Sequence, residues 1–153
     1  ATFVCMFRAL EAVPTPLPWP EVYQAMKTKI VDGMETTPEG MTSTKVYEVG
    51  KYVTLTNHIN TVEGPTINEA FYQSLPADIK KALKETLDEI IPWQREAQIR
   101  TNEKALNTLK EKGCELIKID HAPLRKAMKS CWAEYVKRSS RGEELIERIN
   151  ALR

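Results

Sequence analysis

Between Asp78 and Glu111 the apolar residues Ile79, Leu83, Leu87, Ile90, Ile91, Ala97, Leu106 and Leu109 recur along one side of a helical projection with hardly a break. Pro92 predicts a kink within that helix, because its ring removes one backbone donor without ending the pattern. Lys110, Lys112 and then Gly113 suit the helix C-terminus, the lysines favouring the negative end of the dipole and glycine the left-handed backbone. At about 1.5 Å per residue such a helix is roughly 50 Å long, whereas a compact domain of this chain length is only ~40 Å across. A helix that overshoots its own domain is comfortable bridging two lobes, so part of a two-lobed architecture is expected.

Around this helix the pattern alternates. Phe3, Met6, Phe7 and Leu10 fall at helical spacing, which predicts a short amphipathic helix over 2–10. Pro14, Pro16, Pro18 and Pro20 then hold the chain extended as an edge strand or linker, and Pro20 suits the first turn of a helix ending near Lys27. Ile30 and Val31 read as a short strand or crossing before an Asp32-Gly33 turn, and 36–47 as a second short helix. The run YVTLTN alternates with Val53 and Leu55 on one face, so it is predicted to be a strand, and 61–67 is a further strand candidate. After the long helix, CELIKID reads as a strand. Asp120 can cap a helix over 121–138 carrying Leu124, Met128, Cys131, Trp132 and Tyr135. Ser140 and Glu143 form a capping-box pattern for a last helix with Leu145, Ile146 and Ile149.

Several function classes are disfavoured by composition. The 153 residues carry 22 Lys and Arg against 21 Asp and Glu, interleaved along the helices, without the one-sided basic stripe that nucleic acid requires. No apolar run approaches the ~20 residues of a membrane span. Residues 1–10 lack the basic start and cleavage site of a signal peptide. Cys5, Cys114 and Cys131 are widely spaced, with only His58 and His121 to join them, which argues against zinc. An oxidising compartment would allow one disulfide, but buried free thiols behaving as small apolar side chains are the favoured reading.

The run from Leu17 to His58, LPWPEVYQAMKTKIVDGMETTPEGMTSTKVYEVGKYVTLTNH, carries the densest signal, flanked by FRALEAVP before it and INEAFYQSLP after it. It resembles the solute-binding proteins of TRAP (tripartite ATP-independent periplasmic) transporters, of the dicarboxylate-binding type. Family members are longer, with this motif near the middle, so the chain looks like a C-terminal half. The resemblance implies an α/β, periplasmic binding protein-like two-lobe fold, helix-rich in this portion and with a long kinked bridging helix. The expected division is a second-lobe portion over 1–75 with ligand-facing segments, an inter-lobe helix over 76–112, and a C-terminal strand and helices over 113–153.

The resemblance further implies an extracytoplasmic, periplasmic receptor whose signal peptide is absent from this chain. It would capture a small organic acid and deliver it to the TRAP membrane subunits, with no cofactor, no metal and no catalysis. Its partners would include the missing N-terminal lobe, which would also supply the arginine that pairs with the ligand carboxylate. Three positions carry over as ligand-binding: Trp19 as an aromatic wall, Thr36 as a hydrogen-bonding group on the ligand carboxylate, and Glu63 lining the cleft. The family usually has Asn at Thr36. It more often has Gly at Glu11 and Lys29, Gln at Met34 and Pro at Thr37.

Each site residue has a plainer reading. Trp19 could be a core aromatic, Thr36 a helix N-cap ahead of Pro38 and Glu39, Glu63 a solvated loop charge beside Gly64-Pro65, and His58 a structural histidine. Two rival functions remain at this level. One is an acid/base enzyme using Asp32, Glu35 or Glu39 with His58, without a nucleophile motif or phosphate loop to support it. The other is a self-assembling structural fragment that pairs through the long helix and the Trp132 stripe.

Overall fold

The computed structural model describes residues 2–59 and 63–152. In chain order the helices are α1 (Thr2–Ala9), α2 (Val22–Lys27), α3 (Pro38–Ser43), α4 (Glu69–Ser74), α5 (Ala77–Glu111), α6 (Ala122–Ala127), α7 (Lys129–Val136) and α8 (Gly142–Ala151). The strands are β1 (Tyr52–Leu55) and β2 (Glu115–Lys118), which pair in a two-stranded sheet. The chain divides into two compact units, one formed by 1–31 together with 118–153, the other by 32–117.

In the first unit α1 packs on α7, and α6 and α8 flank α7. A disulfide joins Cys5 of α1 to Cys131 of α7, with the two Cα atoms 5.9 Å apart, while Cys114 alone is a buried free thiol. The expectation of three buried thiols is thereby corrected. Cys131 lies on the apolar stripe of its helix, Cys5 lies off the Phe3–Met6–Phe7–Leu10 stripe, and the packing of α1 on α7 brings into bonding range two thiols that are 126 residues apart in sequence. The helix expected over 121–138 is broken into α6 and α7 at Met128 (φ −72°, ψ −8°), although Asp120 Oδ1 does accept a hydrogen bond from the Ala122 N–H at 2.9 Å. The Ser140–Glu143 capping box does not form. Helix α8 instead begins at Gly142, and a Cβ there would lie 2.8 Å from the Val136 Cα, so close packing on α7 sets where α8 starts.

The second unit is built around α5. Met41 of α3, Leu109 of α5 and Cys114 form its buried cluster, and Tyr47, Val53 and Leu116 pack against it. The alternation in β1 turns Val53 and Leu55 inward and leaves Thr54 and Tyr52 exposed, as its period of two requires. Helix α5 runs unbroken for 35 residues through Pro92. Near its C-terminus Ala105 and Leu109 are buried, whereas Ile79, Leu83, Ile90 and Ile91 on the same flank are exposed. Gly113 (φ 78°) turns the chain out of the helix, and Lys51 Nζ donates to the Lys112 carbonyl at 2.9 Å, satisfying one otherwise unpaired terminal acceptor.

The connecting segments differ from several expectations. Residues 12–18 are irregular, and Pro20 sits in a single 3-10 turn (Trp19–Glu21) ahead of α2. Ile30 is 71% exposed and its N–H bonds back to the Ala25 carbonyl, so 30–31 close a turn after α2 and form no strand. The helix expected over 36–47 is two pieces, α3 and a 3-10 turn at Val46–Glu48, separated by Lys45 in left-handed backbone (φ 57°). Of the strand expected over 61–67, Thr61 and Val62 lie outside the described residues and 63–67 are irregular. Glu11 (φ 61°) and Lys29 (φ 58°), where the resemblance would place glycine, both occupy left-handed backbone.

Candidate functional site

Trp19 opens the 3-10 turn between Pro18 and Pro20, whose rings fix the local φ angles and hold the indole at the turn. The side chain is 46% exposed and so is not the core aromatic of the plainer reading. Trp19 belongs to the unit formed by 1–31 and 118–153, whereas Thr36 and Glu63 belong to the unit 32–117.

At the start of α3 the cap is one residue later than expected. Thr37 Oγ1 accepts the Gly40 N–H at 3.1 Å with Pro38 following, so Thr37 is the N-cap and Thr36 lies outside the capping arrangement. Thr36 is half-buried, its side chain against Gly40. The cap role that competed for Thr36 is therefore filled by its neighbour.

Glu35 and His58 meet across the unit. Their Oε1 and Nε2 are 3.9 Å apart, both side chains half-buried, and Thr56 Oγ1 lies 2.6 Å from His58 Nδ1. Asn57 between them takes left-handed backbone (φ 45°), which asparagine tolerates better than most residues. Nδ1 of His58 is hydrogen-bonded and Nε2 faces the Glu35 carboxylate beyond hydrogen-bond distance, so the pair forms a strut between the segment before α3 and the end of β1. The sequence offers Glu35 and His58 as members of a rival acid/base set and His58, alternatively, as a structural histidine. No periodicity brings a residue beside a turn together with one beyond a strand, so the strut itself carried no sequence signal.

The remaining candidates are separate. Glu39 Oε2 accepts from Gln98 Nε2 at 3.3 Å, Asp32 is exposed, and Glu63 is exposed in an irregular loop. Among the described residues no group of three His, Cys, Asp or Glu is arranged to hold a metal ion. No described helix is long and apolar enough to cross a membrane.

Comparison with known proteins places these features in a wider context. The profile of the family described as bacterial extracellular solute-binding protein, family 7, matches residues 1–139. The C4-dicarboxylate-binding periplasmic protein DctP of Rhodobacter capsulatus is 33% identical over 94% of this chain and 41% of its own length. A TRAP periplasmic solute binding protein from Roseobacter denitrificans, solved with bound β-D-glucuronate, superposes with a TM-score of 0.83 at 27% identity, over 95% of this chain and 49% of that one. One from Desulfovibrio salexigens with bound orotic acid gives a TM-score of 0.78 at 26% identity, over 98% and 50%. The chain thus spans about half the length of the relatives it matches.

Proposed function

The chain belongs to the bacterial extracellular solute-binding proteins of family 7, and from that premise we propose that it forms part of a TRAP-transporter receptor that captures a small organic acid outside the cytoplasm. The observation that carries this reading is the likeness, over nearly the whole chain, to proteins described as binding C4-dicarboxylates, β-D-glucuronate or orotic acid. Those three ligand types share a carboxylate on a small polar frame. Capture is binding alone: no bond is made or broken, and closure of two lobes on the solute would create the form that a membrane permease accepts.

In this reading Trp19 supplies a flat apolar wall, Thr36 a hydroxyl for the solute carboxylate, and Glu63 a polar group at the cleft margin. A hydroxyl both donates and accepts, so Thr36 suits a ligand with adjacent carboxylate and hydroxyl groups. The exposed run Ile79, Leu83, Ile90 and Ile91 on α5 is proposed to be sheathed by the remainder of the receptor, which the relatives carry in the half of their length that this chain does not match. The Cys5–Cys131 disulfide suits an oxidising periplasm.

The test is calorimetric titration of the full-length receptor carrying this chain with D-glucuronate, orotate and succinate. Trp19→Ala is expected to weaken binding by ~2 kcal/mol or more, the typical loss for a packed aromatic anchor. Unchanged affinity would remove Trp19 from the site, and failure of every carboxylate to bind would remove the organic-acid reading.

A further inference from the structure

We infer that Gly40 is a specificity-determining positioning residue, which sets the direction of the Thr36 hydroxyl and so what position 36 presents to a solute; this rests on the reading of Thr36 as a solute contact. Gly40 lies inside α3, where glycine is a poor helix former, and its backbone is not left-handed. Conformational need therefore does not account for glycine here. Space does: a Cβ built on Gly40 would overlap Thr36 Oγ1 outright and lie 3.4 Å from both the Cβ and the Cγ2 of Thr36.

The side chain is the part that has to yield. The backbone after Thr36 is held by the Thr37 cap, whose Oγ1 takes the Gly40 N–H, and on the other side Glu35 faces His58. Threonine has only staggered χ1 wells to choose from. A methyl group at position 40 closes the well that turns Oγ1 toward α3 and sends the hydroxyl elsewhere. Helix α3 itself would persist, because its cap is untouched and alanine is the better helix former. The same clash would meet any β-branched or γ-substituted residue at 36 whose γ atom points this way, so positions 36 and 40 are expected to act as a matched pair.

Two measurements test this. In the chain itself, three-bond couplings to the Thr36 Cγ2 methyl report χ1 without any solute. Gly40→Ala must switch χ1 while leaving the thermal midpoint undiminished, and unchanged couplings would overturn the inference. In the full-length receptor, titrated with D-glucuronate, orotate and succinate, Gly40→Ala and Thr36→Ala should each weaken binding about tenfold, as for one hydrogen bond lost. The double variant Thr36→Ala/Gly40→Ala should bind no worse than Thr36→Ala, since without the hydroxyl there is nothing to redirect. Additive losses would place the effect of Gly40 in α3 rather than in Thr36 and overturn the inference. A χ1 switch together with full binding by Thr36→Ala would instead overturn the solute-contact reading on which the inference stands.

Discussion

Glu11 and Lys29 hold left-handed backbone (φ 61° and 58°), a conformation that costs a residue bearing a Cβ about 1 kcal/mol or more relative to glycine. Part of that cost returns as lower entropy in the unfolded chain, so Glu11→Gly and Lys29→Gly should each stabilise the protein by roughly 0.5 kcal/mol. Urea denaturation checks this, and a loss of stability would mean that these side chains make contributions that outweigh their strain. Leu109 is the opposite case: it is fully buried with Met41 and Cys114, so Leu109→Ala should cost about 3 kcal/mol through lost burial and a residual cavity. At this scale the resemblance pointed to glycine at 11 and 29, and the backbone supplies the reason. It did not separate Thr36 from Thr37 as the cap, because two adjacent threonines have the same capping chemistry and only the position of the Gly40 N–H decides between them.

Among the elements, α5 and β1 were legible to within a residue or two, since each repeats its own period across several turns or alternations. The break between α6 and α7 was not, because the apolar stripe runs straight through Met128. Nor was the start of α8, where the contact of Gly142 with Val136 overrides a good local capping signal. Gly142→Ala should therefore destabilise the protein by about 1–3 kcal/mol through overpacking, read from the shift in the denaturation midpoint at constant slope. Helix α8 is also expected to respond to acid. Arg141 first, then Arg148, hold the Glu144 carboxyl below the usual carboxylate range. A group whose pKa is depressed by folding adds stability that is complete above its unfolded value and is lost as pH falls through its folded value. Amide protection in α8 should consequently decline from about pH 5 downward, and Glu144→Gln should abolish that dependence.

For the molecule as a whole, the Cys5–Cys131 bridge closes a loop that contains all of residues 32–117. Long loops have the most unfolded-state entropy to lose, so reduction should lower stability by about 3–5 kcal/mol. A thiol count on the denatured, unreduced protein should find one group, Cys114, and a count of three would show that the bridge does not form. What the sequence by itself determined was the set of periodic elements, the uncovered length of α5, and kinship with solute receptors through the run around Trp19 and Thr36. Those signals lie between residues a few positions apart, where periodicity and turn chemistry act. Only the tertiary structure decided that Cys5 meets Cys131, that Glu35 meets His58, and that Thr36 rests on Gly40 while Thr37 caps α3. The cysteine and Glu35–His58 pairings join residues that no local period links. The roles of Thr36 and Thr37 turn on distances of an ångström or two, which the fold sets and residue order alone does not.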